Sequence, residues 1–139
     1  MNTFYISNEQ DLQQAWGLLA DFVIDRIPSG CLCLEGNLGA GKTTFVQVLA
    51  QKMGFSGVVL SPTYSLAAHY PSINLVHLDL YRINDRREIL GLGLEDHSES
   101  LIVIEWGEQF KEMFEDLKAI IRISSEPDGT ERKVIVEFL

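Results

Sequence analysis

Short apolar runs separated by amphipathic stretches set the pattern of this chain. Residues 31–34 (Cys-Leu-Cys-Leu) and 101–104 (Leu-Ile-Val-Ile) have no polar break, as expected of strands buried on both faces of a parallel sheet. Residues 4–6, 65–70 and 75–80 predict further strands. Leu12, Ala15, Trp16, Leu19, Phe22 and Val23 recur at helical spacing. Ser7 or Asn8 can cap that helix, with Gln10 or Asp11 completing a capping box, and Pro28-Ser29-Gly30 closes the segment. Phe45, Val46, Val48, Leu49 and Met53 mark a second helix that Gly54 can terminate. Asn84-Asp85 can cap a third from Arg86 to about Leu92, and another helical segment is expected around 108–114. Finally, residues 119–123 and 133–138 flank Pro127-Asp128-Gly129, a turn signal for a terminal hairpin. Alternating strands and helices predict an α/β sandwich whose sheet is mostly parallel with antiparallel additions.

The strongest chemical signal lies between the first apolar run and the second helix. Gly36-Asn37-Leu38-Gly39-Ala40-Gly41-Lys42-Thr43 fits G-x-x-x-x-G-K-[ST] without a gap, followed by Thr44. Glycines let such a loop turn its N–H groups toward phosphate oxygens. Lys42 can reach the β- and γ-phosphates, and the Thr43 hydroxyl can ligate Mg²⁺. With strand, loop and helix in this order, the expected architecture is a three-layer, P-loop NTPase-like sandwich that binds a nucleotide.

A phosphate loop also needs a carboxylate near its divalent ion. Glu105 closes the run 101–104, where ligands meet the carboxyl ends of parallel strands, and Asp79 sits inside 75–80. Glu105 with Thr43 is the favoured metal pair, and Asp79 would stand in the outer shell or orient the attacking water. Ser61-Pro62-Thr63-Tyr64 falls where many such proteins sense the γ-phosphate. Its hydroxyls could meet nucleotide, ion or partner, or simply face water. A lone Arg82 more often forms a salt bridge than it stabilises a transition state. Trp106 is expected in the core rather than over the site. His69, His77 and His97 lack metal-ligand spacing; His77 shares a strand face with Asp79, but a structural histidine is the commoner outcome.

Composition narrows this further. The chain has 139 residues, 46% of them hydrophobic, which suits one domain over residues 1–139. It has no apolar stretch long enough for a membrane span and no basic, apolar leader at its start, so a cytoplasmic protein is expected. The net charge of −9 disfavours unaided binding to nucleic acid. Cys31 and Cys33 are expected as buried thiols on opposite faces of one strand, unable to bridge or share a metal.

Taken together, the chain resembles the TsaE (formerly YjeE) family, small P-loop ATPases of bacterial tRNA threonylcarbamoyladenosine synthesis. The likeness rests on residues 36–45, Ser61-Pro62-Thr63-Tyr64, His77-Leu78-Asp79-Leu80-Tyr81-Arg82 and Glu105-Trp106. Asn37 departs from the acidic residue expected there. The resemblance implies ATP and Mg²⁺ as cofactors, Thr43 and Glu105 on the metal, and Asp79 in hydrolysis; Lys42 and Thr63 stand beside Asp79 as catalytic candidates. It also implies base-side contacts from Glu9 and Arg132. It implies a monomer that joins TsaD-like and TsaB-like proteins and meets tRNA only through that complex, its hydrolysis resetting the assembly.

Other readings share the loop. A small-molecule kinase needs a lid, and Arg82, Arg86 and Arg87 form only a short basic cluster. A GTPase would carry N-K-x-D, which this sequence lacks. A nucleotide-dependent interaction module would bind without useful hydrolysis.

Overall fold

The computed structural model describes residues 2–6, 9–37, 40–60, 62, 66–125 and 131–139, with the backbone alone at 2, 4–6 and 9–12. The elements follow in the order β1 (Asn2–Ile6), α1 (Glu9–Arg26), β2 (Gly30–Glu35), α2 (Lys42–Lys52), β3 (Ala67–Tyr70), β4 (Leu75–Asp79), α3 (Arg86–Leu90), β5 (Leu101–Glu105), β6 (Leu117–Ser125) and β7 (Arg132–Phe138). The strands form one sheet in the order β1-β7-β6-β2-β5-β4-β3. Its centre, β6-β2-β5-β4, is parallel throughout. The flanking strands, β3 on one side and β7 and β1 on the other, are antiparallel additions. The expected α/β architecture is therefore present.

Alternation along each strand divides the core into two layers. Leu32, Leu34, Leu75, Leu101, Val103 and Ile121 pack under α1 and α2 with Trp16, Leu19, Val23, Phe45 and Leu49. The Trp16 and Phe45 rings stack with centroids 5.6 Å apart, which locks the two helices together. On the other face, Val76, Leu78, Ile102, Ile104 and Ile120 meet Ile89, Phe110 and Phe114.

Cys31 and Cys33 correct one expectation. Residues two apart on a strand share a face, and both thiols lie in this second layer, buried and free. The segment expected to be helical around 108–114 is a tight 3₁₀ turn, Glu108–Met113. It breaks at Phe110 (φ −115°, ψ 18°), whose ring is drawn into the core. Helix α3 begins under the Asp85 cap, whose side chain accepts from Arg87 N–H, and stops at Leu90 rather than near Leu92. Of the strand expected over 75–80, Leu75–Asp79 forms β4, and Pro71–Ile73 makes a 3₁₀ turn before it. The hairpin β6–β7 is antiparallel as expected, while Pro127-Asp128-Gly129 and the Ser7/Asn8 cap lie outside the described residues.

Candidate nucleotide site

At the carboxyl end of β2 the chain turns through Gly36 and re-enters as α2. A Cβ on Gly36 would stand 2.6 Å from the Ile123 carbonyl oxygen, so only glycine allows this passage. Gly41 caps α2 in the left-handed region (φ 113°), with the Trp16 ring beneath it. The Ala40 N–H donates to the Asn37 carbonyl at 3.0 Å, tightening the loop. Among the described residues no side chain caps α2, and no acid occupies its first turn. Its leading N–H groups therefore remain available to an anion, with Thr43 and Thr44 exposed beside them. Leu38 and Gly39 lie outside the described residues.

Behind the loop sits a buried polar cluster. Among the described residues the buried charged or polar side chains are Lys42, His77 and Glu105. They meet although β4, β5 and α2 are distant in sequence. Glu105 Oε2 lies at hydrogen-bond distance, 2.6 Å, from His77 Nε2, and Glu105 Oε1 lies 3.8 Å from Lys42 Nζ. The ammonium also stands 4.0 Å over the Trp106 ring, which makes a cation–π contact. Trp106 is thus a wall of the site rather than the core residue expected. Its left-handed backbone (φ 59°) turns the ring there, and Tyr81 packs against it with centroids 5.0 Å apart.

Lys42 Nζ has no hydrogen-bond partner among the described residues. Burial pulls its pKa below the usual lysine value, against the opposing pull of Glu105, Glu35 and Asp79. A buried cation this poorly satisfied is costly, and an anion at the loop would relieve it.

Asp79 closes β4 directly opposite Glu105 in the parallel register. Its Oδ1 accepts from the Tyr81 N–H at 3.0 Å, and Leu80 N–H donates to the Glu105 carbonyl at 3.0 Å, tying the two strand ends together. Both acids flagged in the sequence therefore converge near Lys42. Glu35 was not anticipated. It accepts from the Glu108 N–H at 2.7 Å. Burial raises its pKa above the ordinary value, which backbone hydrogen bonds and Lys42 partly offset and the Glu108 charge reinforces. The signal was present, since Glu35 closes an apolar run just as Glu105 does. His77 was underrated for a different reason. Its partner lies 28 residues away on the neighbouring strand.

Topology also brings the remaining candidates toward this end of the sheet. Arg132 begins β7 opposite Ser125, at the carboxyl end of β6, and opposite Ile6, the last residue of β1. Glu9 opens α1 shortly after, though only its backbone is described. Ser61, Thr63 and Tyr64 lie outside the described residues, and Pro62 between them is buried. Among the described residues no three His, Cys, Asp or Glu side chains gather into a metal cage. Mg²⁺ commonly needs only one or two carboxylates beside substrate phosphates. Thr43, at the loop's exit, and the Glu105 oxygen facing Lys42 fit that mode of binding. No described helix is long and apolar enough to cross a membrane.

The pattern describing the family "Threonylcarbamoyl adenosine biosynthesis protein TsaE" matches residues 6–134. The tRNA threonylcarbamoyladenosine biosynthesis protein TsaE of Bacillus subtilis is 37% identical over 68% of this chain and 63% of its own length. The protein of the same name from Haemophilus influenzae is 33% identical over 75% of this chain and 68% of its own. The matched stretch thus spans slightly less than two thirds of the Bacillus relative. Among solved structures, that of Bacillus subtilis YdiB superposes with a TM-score of 0.72 at 27% identity, covering 96% of this chain and 82% of that one.

Proposed function

The chain belongs to the TsaE family of threonylcarbamoyladenosine biosynthesis proteins, and from that premise we propose that it is a Mg²⁺-dependent ATPase subunit of tRNA N6-threonylcarbamoyladenosine synthesis. It binds ATP at the phosphate loop and hydrolyses it to ADP and phosphate. The hydrolysis serves as a switch that supports turnover of a TsaD–TsaB complex, with tRNA met only through that complex. The observation that carries the reading is the buried Lys42 ammonium, which lies beside Glu105 and the Trp106 ring with no hydrogen-bond partner among the described residues. A triphosphate would supply that partner.

In this reading the loop N–H groups and Lys42 hold the β- and γ-phosphates. Thr43 and Glu105 hold Mg²⁺, which when bound neutralises charge between those phosphates. Asp79 orients the attacking water, and Thr63, outside the described residues, assists hydrolysis. Glu9 and Arg132 lie toward the base. Trp106 and Tyr81 screen the ammonium from solvent on one side.

Calorimetric titration with ATP tests the site. Lys42→Ala should weaken binding by about 1.5–3 kcal/mol, the range for hydrogen bonds to charged groups. Unchanged affinity would remove the loop assignment. The switch is tested by turnover. The isolated chain should hydrolyse ATP slowly and accelerate when TsaD-like and TsaB-like proteins are added, whereas rapid unaided hydrolysis would argue against a switch.

A further inference from the structure

The Glu105 carboxylate ends a strand, and a strand-end acid on a flexible stem can present either oxygen to a ligand. Here one oxygen is already committed. His77 Nε2 lies 2.6 Å from Oε2, and the other oxygen faces Lys42 at 3.8 Å. The imidazole is fully buried, with its position set by β4 pairing in parallel with β5, where His77 stands opposite Val103. It has no room to turn away, and Leu75 and Val103 share its face of the sheet.

We infer that His77 is a positioning residue for Glu105, its Nε2–H clamping Oε2 so that Oε1 alone is presented to the phosphate-loop side. The inference rests on the nucleotide reading above but concerns a side chain with no part in phosphate binding itself. The hydrogen bond requires the proton on Nε2. Nδ1 meets no hydrogen-bond partner among the described residues, so nothing there competes for the opposite tautomer. A ligand carboxylate held in this way gives up less freedom when it takes a cation, which is how outer partners of metal ligands generally act.

Two measurements test this. Nitrogen-15 NMR of the histidine rings in the unaltered protein should show His77 as the Nε2–H tautomer, and an Nδ1–H tautomer would overturn the clamp. In parallel, Mn²⁺ can be titrated into ATP-loaded protein and followed by electron paramagnetic resonance. His77→Phe keeps the ring's shape without its donor, and should lower Mn²⁺ affinity about tenfold, the lower end of the range for lost outer partners. ATP binding in the presence of a chelator should be unchanged. His77→Gln, which restores an N–H donor at similar reach, should recover most of the affinity. A folded His77→Phe with unaltered Mn²⁺ affinity would refute the inference. If that variant does not fold, the ring tautomer and the Gln variant decide. Failure of the unaltered protein to bind ATP would instead count against the nucleotide reading, and the two failures are thus distinguishable.

Discussion

The two faces of the central sheet are built from the same strands yet carry opposite chemistry. Along β4, Val76 and Leu78 point into a layer of aliphatic and aromatic side chains, while His77 between them belongs to the polar cluster. Along β5, Ile102 and Ile104 alternate in the same way with Val103 and Glu105. The face under α1 and α2 is apolar until the strands end and the phosphate loop begins. There it concentrates the buried polar groups, which satisfy one another only in part. On the far face the apolar layer takes in the two thiols, with Glu35 half-buried where β2 ends. Burial has a different effect on each side. On the dry face it keeps Cys31 and Cys33 protonated, their pKa values pushed up to about 11 and about 12. On the site face it leaves Lys42 without a hydrogen-bond partner among the described residues.

The comparison is most directly broken by neighbouring substitutions. Leu78→Ala on the dry face should cost about 2–5 kcal/mol of stability, measured by urea unfolding, with little change in ATP affinity of the folded protein. A matching loss of affinity would mean that the faces are not independent. One residue further along, Asp79→Asn should do the reverse. Hydrolysis should fall by about a hundredfold or more while ATP binding and the melting temperature stay close to those of the parent. An unchanged rate would remove Asp79 from the chemistry.

Smaller effects sharpen the picture. Since the thiolate is the nucleophile, Cys31 and Cys33 should alkylate slowly at pH 8, with about a thousandth or less of each ionised, and rapidly once the chain is unfolded. Fast labelling of the native protein would show that the dry layer opens. The last test concerns Glu35, whose folded pKa lies above its ordinary 4.5. Between those two values the native state holds more protons than the unfolded chain, so stability should fall as pH rises through that window. Glu35→Gln should flatten this part of the profile in melting curves recorded against pH, and an identical slope would mean Glu35 is not held as described.

Much of this is legible in the sequence. Buried strands revealed themselves as unbroken apolar runs, and helix boundaries as Gly54 and the Asp85 cap, because those signals act within a few residues. The same locality explains the misses. The 3₁₀ turn at Glu108–Met113 has helical periodicity but is broken where Phe110 is drawn into the core. The core placement expected for Trp106 failed because its left-handed backbone aims the ring at Lys42 instead.

By itself the sequence determined the phosphate loop, the acids at the strand ends and the alternation that separates two core layers, since each depends on the spacing of adjacent residues. Only the tertiary structure decided that Glu105 is shared between His77 and Lys42, that Trp106 lies under the ammonium and that Arg132 starts at the loop's end of the sheet. Those meetings depend on which strands lie side by side and in what register. Strand order and register are settled by burying the two apolar layers together, a property of the whole sheet and of no segment within it.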